Sequence, residues 1–258
     1  MSATRHAQAA QALWDAWSAE QTLPALPVPL RPRDMPGGYA IQAQLEGLAG
    51  RRVGWKIAAT GAGGRAALGV EHPLAGPLFE RFAVPAGGDV DFSTIRMRTI
   101  EAEFGFAISS DLPVAAAPFD RAAVLDALGA FVPAIEIPNT RYDDHRAVGG
   151  PQLVADAACA GVFVLGEPVE RYDPDALPSW PITLTTRANG TAEGRGAKVL
   201  GDPVEAVRWL ANELATHGRA LQRGDTVITG AAVAVREPGP GPAVADFGDL
   251  GSLTVRLT

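Results

Sequence analysis

The chain has 258 residues, 47% hydrophobic and 20% charged, which is typical of a globular protein with a full hydrophobic core. Its net charge of −7, without a Lys/Arg-rich run, argues against nucleic acid as the main partner, and no apolar stretch of about 18 residues predicts a membrane span. The single Cys159 excludes an internal disulfide and indicates a reducing, cytoplasmic location.

The chain begins with a predicted amphipathic helix over residues 3–21. Leu13, Trp14 and Trp17 fall on one side of this helix. The two tryptophans therefore pack either onto the core of the same chain or onto a partner subunit. Both alternatives are compatible with the pattern.

A proline-rich connector over residues 23–30 cannot continue the first helix. A second helix is predicted over residues 39–48, where apolar residues recur at helical spacing. We therefore expect an N-terminal helical region over residues 1–50 and a larger domain over residues 51–258.

A short strand over residues 53–61 carries a lysine among apolar neighbours, and a flexible glycine run over residues 61–64 follows it. Only two lysines occur in the chain, Lys56 and Lys198. Burial lowers the pKa of a lysine, so Lys56 is a candidate general acid/base or an anchor for a substrate carboxylate. The alternative is that Lys56 reaches solvent past Trp55.

The next stretch, residues 68–79, is dense in glycine and proline and is predicted to be an ordered loop. Loops of this kind often line functional sites. His72 within it is either a catalytic base or a histidine held by hydrogen bonds within the loop.

Residues 100–106 alternate apolar and other residues, which predicts a strand with one buried face. Glu101 and Glu103 then project from the opposite face, roughly 6.5–7 Å apart. A third carboxylate, Glu136, lies in a second strand-like run at residues 134–138. Three carboxylates without a nearby thiolate suit a hard cation, Mg²⁺ or Mn²⁺.

The same spacing is also typical of a solvent-facing strand, with Arg96 and Arg98 as surface partners of the two glutamates. The polar stretch after Glu136 should be largely solvated. Asn139 and Arg141 follow that glutamate closely enough to share its site.

The rest of the chain is predicted to be rich in strands. Helices are expected over residues 119–131 and after Asp202, where Pro203 and Glu205 form a helix-start signal. The pattern indicates an α+β fold with a mainly antiparallel core. Strands are expected at residues 162–165, 180–187, 195–199, 225–230, 231–235, 243–247 and 251–257.

Several short motifs occur along the chain in the order seen in one protein family. They are Gly54-Trp55-Lys56-Ile57, Leu68-Gly69-Val70, residues 100–106, Pro133-Ala134-Ile135-Glu136 with Arg141, Asp156-Ala157-Ala158-Cys159, Gly194-Arg195-Gly196, Leu200-Gly201-Asp202-Pro203, Gly224-Asp225 and Thr229-Gly230. Together they resemble the 2-keto-4-pentenoate (2-hydroxypentadienoate) hydratases of the fumarylacetoacetate hydrolase superfamily. The resemblance spans nearly the whole chain.

The resemblance implies a mixed β-roll or barrel with peripheral helices, in which residues 51–258 form the catalytic domain. It implies that Glu101, Glu103 and Glu136 hold the Mg²⁺ or Mn²⁺ and that Lys56 is the catalytic lysine. It also implies a homo-oligomer.

Three positions, in two stretches of the chain, depart from the family pattern on the substrate side. In the characterised hydratases that the chain resembles, a serine stands at the position of Cys159 and an asparagine at the position of Ala157. Leu74 stands where they carry an acidic residue. We therefore expect Leu74 and Cys159 to contact the substrate, with Arg141 or a loop backbone amide holding its distal group, and the exact substrate stays open.

The implied activity is a metal-dependent hydration of a small 2-hydroxy-2,4-dienoate (2-keto-4-enoate) to a 4-hydroxy-2-oxo acid, as in aromatic meta-cleavage catabolism. Alternatives within the superfamily are an acylpyruvate hydrolase, for which a His72–glutamate pair would activate water, a 2-oxo acid decarboxylase and a tautomerase. An inactive metal-binding or interaction protein is the alternative from a different class.

Overall fold

The computed structural model describes residues 2–258, which form seven α-helices and eleven β-strands. The helices are α1 Ala3–Ser18, α2 Met35–Gln42, α3 Glu46–Ala49, α4 Ala62–Leu68, α5 Arg121–Ala127, α6 Gly150–Ala155 and α7 Pro203–Thr216. The strands are β1 Arg52–Ala58, β2 Leu74–Phe79, β3 Asp89–Val90, β4 Thr99–Ile108, β5 Leu128–Ile137, β6 Val162–Leu165, β7 Pro181–Thr186, β8 Gly190–Arg195, β9 Thr226–Arg236, β10 Gly241–Asp246 and β11 Ser252–Leu257.

The strands form two sheets. The first has six strands in the order β2-β1-β9-β4-β5-β6, and the second has five in the order β3-β11-β10-β7-β8. Strand pairs β1·β9 and β11·β3 are parallel, and the other neighbouring pairs are antiparallel. The expected α+β fold with a mainly antiparallel core is therefore confirmed.

An aromatic cluster joins the two sheets. The ring of Phe104 on β4 lies 5.8 Å from that of Phe131 on β5 and 5.8 Å from that of Phe247, which follows β10 in the second sheet. All three rings are buried. Because side chains alternate along a strand, packing Phe104 into this core sends Glu101 and Glu103 to the opposite face of the first sheet.

The expectation of a loop over residues 68–79 is wrong for its second half, which forms strand β2. Gly76 on β2 pairs with Lys56 on β1. A Cβ atom at Gly76 would overlap the carbonyl oxygen of Ala157, so glycine here permits close packing rather than a turn. This close approach involves residues far apart in the sequence, and local composition does not reveal it.

Other elements differ mainly in their boundaries. The glycine run at residues 61–64 starts helix α4 instead of forming a flexible loop, and the helix expected over residues 119–131 gives way to β5 at Leu128. The strand expected at residues 195–199 lies earlier, as β8. Helix α7 begins as expected, because the Asp202 side chain accepts a hydrogen bond of 2.8 Å from the Val204 N–H.

Helix α1 packs through its tryptophans onto its own chain. The Trp17 ring lies 4.8 Å from that of Phe82, and the Arg81 guanidinium lies 4.8 Å from the centre of the Trp14 ring. The packing therefore favours the first of the two alternatives for these side chains. Among residues 2–258, no helix combines the length and the apolar character needed to cross a bilayer.

Candidate functional site

Three carboxylates converge on the face of the first sheet opposite the aromatic core. Glu101 on β4 and Glu136 on β5 are direct cross-strand partners, and Glu103 lies two residues further along β4. Glu103 and Glu136 are fully buried, whereas Glu101 is partly exposed. Each residue places one carboxylate oxygen within 4.8 Å of the others. Strand β4 is therefore not a solvent-facing strand, the alternative interpretation of its sequence pattern.

Lys56 lies beside this cluster, with its Nζ 3.1 Å from Oε1 of Glu136 and its side chain 3% exposed. Strands β1 and β5 are three positions apart in the sheet, which would separate them by roughly 14 Å if the sheet were flat. On a flat sheet the two side chains would also stand roughly perpendicular to the sheet and parallel to each other, so they would not meet. The sheet therefore curls strongly between β1 and β5, and its concave face holds the site.

A backbone donor from β9 orients one of the carboxylates. The Gly230 N–H donates a hydrogen bond of 2.7 Å to Oε2 of Glu103. The pairing of β9 with β4 shifts register beside Glu103, as at a β-bulge, and Gly230 has a positive φ of 99° there. A Cβ at this position would overlap Thr60 Oγ1, so only glycine brings this N–H to the carboxylate.

The cluster carries more negative than positive charge. Burial, followed by repulsion from Glu136, raises the pKa of Glu101 to about 7, and burial with the neighbouring carboxylates raises the pKa of Glu103 well above its usual value. Burial alone would lower the pKa of Lys56, but attraction to the three carboxylates outweighs it and raises that pKa. The pKa of Lys56 is therefore raised by these neighbours, and not lowered as burial alone predicts.

The donor set fits a divalent cation. Oε1 of Glu103 and Oε2 of Glu136 are buried and accept no hydrogen bond from any residue in the range 2–258. Such orphaned oxygens are costly unless something else satisfies them. Three convergent carboxylates suit a hard cation such as Mg²⁺ or Mn²⁺, and they would hold it through oxygen alone.

A cavity of about 350 Å³ opens beside the cluster. Lys56 and Glu101 line it, as do Leu74 and Cys159, two of the three residues that the sequence analysis assigns to the substrate side. Much of the remaining lining is apolar. It includes Ile57, Ala58, Met97, Leu153, Ala158, Ala231 and Ala234.

Two cavity residues were missed by the sequence analysis. His145 and Arg146 line the cavity, although they come from the polar stretch that we expected to be largely solvated. Burial, followed by repulsion from Arg146, lowers the pKa of His145. The position of His145 and Arg146 soon after Glu136 in the sequence favours a place at the site, but it favours Asn139 and Arg141 equally.

The structure does not bring Arg141 or His72 to the cavity. Arg141 is buried and forms an ion pair with Asp156, and its Nη1 donates a hydrogen bond of 3.0 Å to the Ala160 carbonyl. His72 is exposed and lies outside the cavity lining. The water-activating role that His72 would need in a hydrolase therefore finds no support in its position.

A left-handed turn forms the part of the cavity wall that carries the thiol. Ala157, Ala158 and Cys159 have φ values of 52°, 51° and 60°. The left-handed conformation costs roughly 1–2 kcal/mol for each L-residue, so surrounding contacts must hold the turn. Burial raises the pKa of the Cys159 thiol to about 12, which keeps it protonated and weakly nucleophilic.

The chain has the fold of fumarylacetoacetate hydrolase family proteins, since one such protein from Yersinia pestis CO92 aligns with a TM-score of 0.58 and 12% identity, covering 79% of this chain and 92% of that one. The 4-oxalocrotonate decarboxylase from Pseudomonas putida G7, complexed with magnesium and adipate, aligns with a TM-score of 0.87 and 26% identity, covering 100% of this chain and 99% of that one. The fumarylpyruvate hydrolase from Pseudomonas aeruginosa, in complex with Mn²⁺ and pyruvate, aligns with a TM-score of 0.60 and 17% identity, covering 81% and 89%, and supports the fold alone.

Sequence relatives identify the family to which the protein belongs. The 2-keto-4-pentenoate hydratase of Paraburkholderia xenovorans is 32% identical over 236 residues, covering 90% of this chain and 86% of the relative. A 4-oxalocrotonate decarboxylase of Pseudomonas putida is 29% identical over 220 residues, covering 85% and 82%. A comparison against models of protein families finds no match. The chain belongs to the 2-keto-4-pentenoate hydratase family.

Proposed function

We propose that this protein is a divalent-metal-dependent hydratase that adds water to a small 2-hydroxy-2,4-dienoate to give a 4-hydroxy-2-oxo acid. The observation that carries the proposal is the position of Lys56 Nζ, 3.1 Å from Glu136 in a three-carboxylate cluster that opens onto a cavity. The hydratases among its relatives support the same reaction class. We place the reaction in aromatic meta-cleavage catabolism.

The proposed chemistry needs a stabilised oxygen and a mobile proton. A divalent cation held by Glu101, Glu103 and Glu136 would stabilise negative charge on the 2-oxygen of the substrate. The dienol must gain a proton at C5 as its 2-hydroxyl loses one, and water must then add at C4 with a proton at C3. Lys56 Nζ is the group at the cavity that would hold and transfer these protons.

The cavity lining suits the hydrocarbon part of such a substrate. Leu74, Met97 and Leu153 present apolar surface next to Lys56, and apolar surface excludes bulk water from the reacting carbons. The protonated thiol of Cys159 would contact the substrate at the position that a serine occupies in the characterised hydratases that the chain resembles. We propose Leu74 and Cys159 as substrate-contacting residues and leave Arg141 out of that group.

A second candidate function is decarboxylation of a 2-oxo acid that carries a second carboxylate. Arg146 lines the cavity, and its guanidinium forms no ion pair within 4.0 Å among residues 2–258. The nearby Asp144 carboxylate accepts a hydrogen bond of 2.9 Å from the Arg146 backbone N–H instead, and His145 lies next to it. A guanidinium without an ionic partner suits a distal carboxylate. The decarboxylase structure complexed with adipate, a dicarboxylate, supports this candidate.

A substrate panel tests both candidates. Purified protein with Mg²⁺ or Mn²⁺ would receive 2-hydroxypenta-2,4-dienoate, a dicarboxylic 2-oxo acid or an acylpyruvate, while dienol absorbance and product mass are followed. We expect hydration of the dienoate that is lost in EDTA and in Glu103→Gln and Lys56→Met. Release of CO₂ without hydration would favour the second candidate, and hydration that survives EDTA and both substitutions would overturn the metal-lysine mechanism.

Four further properties belong to the proposal. We propose Mg²⁺ or Mn²⁺ as the metal, since the structural relatives were solved with magnesium, calcium or Mn²⁺. We propose a homo-oligomer in the cytoplasm, with residues 1–50 as a helical region attached to a catalytic domain over residues 51–258. Light scattering measures the oligomer size, and metal analysis of protein purified without added metal identifies the cation.

A further inference from the structure

We infer that Arg141 is a positioning residue, which fixes the left-handed turn of residues 157–159 as one wall of the cavity. The kinetic part of this inference rests on the proposed function. The structural part does not, because it concerns the position of the turn alone. Ala158 and Cys159 of this turn line the cavity, so its position sets the shape of that wall.

The guanidinium of Arg141 binds both ends of the turn. Its Nη2 donates a hydrogen bond of 2.6 Å to the carbonyl oxygen of Asp156, directly before the turn, and its Nη1 donates one of 3.0 Å to the carbonyl oxygen of Ala160, directly after it. Its Nε binds the Asp156 carboxylate. A planar guanidinium can satisfy these three acceptors at once, whereas a lysine ammonium cannot reproduce this fork.

The carboxylate of Asp156 completes the arrangement. It accepts hydrogen bonds of 3.0 Å from both the Thr140 hydroxyl and the Arg141 N–H, in addition to its ion pair with the guanidinium. Asp156 is fully buried, and Arg141 is nearly so. The two charges are therefore matched and hydrogen-bonded, which is the condition for holding an ion pair inside a protein.

Contacts on the other sides leave the turn little freedom. The carbonyl oxygen of Ala157 lies directly against Gly76 on β2, and the carbonyl oxygen of Cys159 accepts a hydrogen bond of 3.0 Å from the Asn139 N–H. The Trp17 ring of helix α1 covers the guanidinium of Arg141 at 4.2 Å. The N-terminal helix thus contacts the residue that holds the cavity wall.

Cys159 provides a native probe of this arrangement, because it is the single cysteine of the chain. Although it lines the cavity, Cys159 is only 6% exposed, so a thiol reagent larger than the substrate, such as a bulky maleimide, reacts faster when the turn opens. We expect Arg141→Lys to accelerate labelling at least about tenfold at a temperature where circular dichroism shows the fold intact. The Cys159→Ser variant gives the background of the assay.

Arg52→Lys is the matched control. Arg52 also forms a largely buried ion pair, with its Nη1 2.6 Å from Oδ1 of Asp225, but it lies outside the cavity lining. We expect its thiol labelling to stay near the wild-type rate. Equal acceleration in Arg52→Lys and Arg141→Lys would show general destabilisation and overturn the inference, as would an unchanged rate in Arg141→Lys.

Thr140→Val is a milder variant that decides the question if Arg141→Lys does not fold. It removes the hydrogen bond to Asp156, together with the one that the Thr140 hydroxyl accepts from the Tyr142 N–H, while keeping the shape of the side chain. We expect faster labelling with the fold retained. An unchanged rate in Thr140→Val would then overturn the inference.

The kinetic readout separates positioning from chemistry. We expect Arg141→Lys to raise KM for the dienoate about tenfold while kcat changes less than about threefold, because the wall moves and the lysine and carboxylates do not. A fall in kcat with unchanged KM would contradict this assignment. If wild-type protein does not turn over the dienoate, the proposed function fails while thiol labelling still tests the position of the turn.

Discussion

Lys56 Nζ lies 3.1 Å from Glu136 Oε1, although strands β9 and β4 separate their own strands in the sheet. The curl of the sheet creates this contact, and it brings the only buried lysine of the chain to a cluster of three carboxylates. The fold thereby places the proposed proton carrier beside the proposed cation site within one continuous sheet. The predictions below test the parts of this arrangement separately.

Replacing Lys56 by methionine should remove proton transfer and keep the cation site. We expect kcat to fall by roughly 10²–10⁴-fold, the usual contribution of a positioned acid/base group. Metal affinity should be retained or slightly increased, because a positive charge is removed from beside the carboxylates. Steady-state kinetics and metal titration measure the two effects. The control is Lys198→Met at the other, exposed lysine, which should behave like the wild type.

The metal-free protein should lose stability as the pH rises from about 4.5 to about 7. The pKa of Glu101 is raised from 4.5 to about 7 in the folded chain, so the folded state binds the additional proton in this window. That stabilising contribution is complete below the unfolded pKa and is lost as the pH passes the folded pKa. Unfolding temperatures measured in EDTA between pH 4.5 and 8 test this direction.

Metal should reverse much of this dependence, because binding requires deprotonated carboxylates and becomes tighter as the pH rises. Glu101→Gln in EDTA should show a smaller loss of stability across the same window. An identical pH dependence in Glu101→Gln and wild type would contradict the role assigned to this carboxyl.

Arg146 should discriminate between ligands with one and two carboxylates. We expect Arg146→Ala to weaken inhibition by adipate about tenfold in the presence of Mg²⁺, the value of one charge-assisted contact. Inhibition by hexanoate, which has a single carboxylate, should change little. Equal weakening of both ligands would show that Arg146 does not act on the distal group, and competition assays on the active enzyme measure the difference.

Gly76→Ala should destabilise the protein by roughly 1–3 kcal/mol, since a methyl group would press on the carbonyl oxygen of Ala157 and force β2 or the turn to shift. Gly63→Ala in helix α4 is the control, because a Cβ there meets no atom within 4 Å and alanine favours the helix. Chemical denaturation measures both. A neutral Gly76→Ala would mean that the turn moves freely.

The sequence reveals the parts of the site that depend on strand periodicity. Glu101 and Glu103 follow from alternation along β4, and the start of helix α7 follows from Asp202 and Pro203. The curl that joins Lys56 to Glu136 depends on strand order, which no local pattern contains. The superfamily resemblance supplied that link, and the structure confirms the fold that it implied.

Long-range contacts explain the remaining differences. The local sequence predicts a loop at Gly76, because the close approach of this residue to Ala157 is invisible there. The position of Arg141 after Glu136 predicts a contact with the substrate, yet the buried Asp156 binds its guanidinium. His145 and Arg146 line the cavity because the loop that carries them folds towards it, and the polar composition of this loop does not predict that path.

Metal-dependent stabilisation of Glu103→Gln tests the central claim most directly. The amide oxygen can still accept the hydrogen bond from the Gly230 N–H, while the substitution removes a carboxyl whose ionised form is disfavoured by burial and by the neighbouring carboxylates. We therefore expect metal-free Glu103→Gln to unfold at a higher temperature than metal-free wild type.

Mg²⁺ or Mn²⁺ should raise the unfolding temperature of the wild type and of the exposed control Glu193→Gln, with little effect on Glu103→Gln. That result would establish Glu103 as a cation ligand and support the assignment of the site to Glu101, Glu103 and Glu136. An equal metal-induced rise in Glu103→Gln and wild type would contradict it.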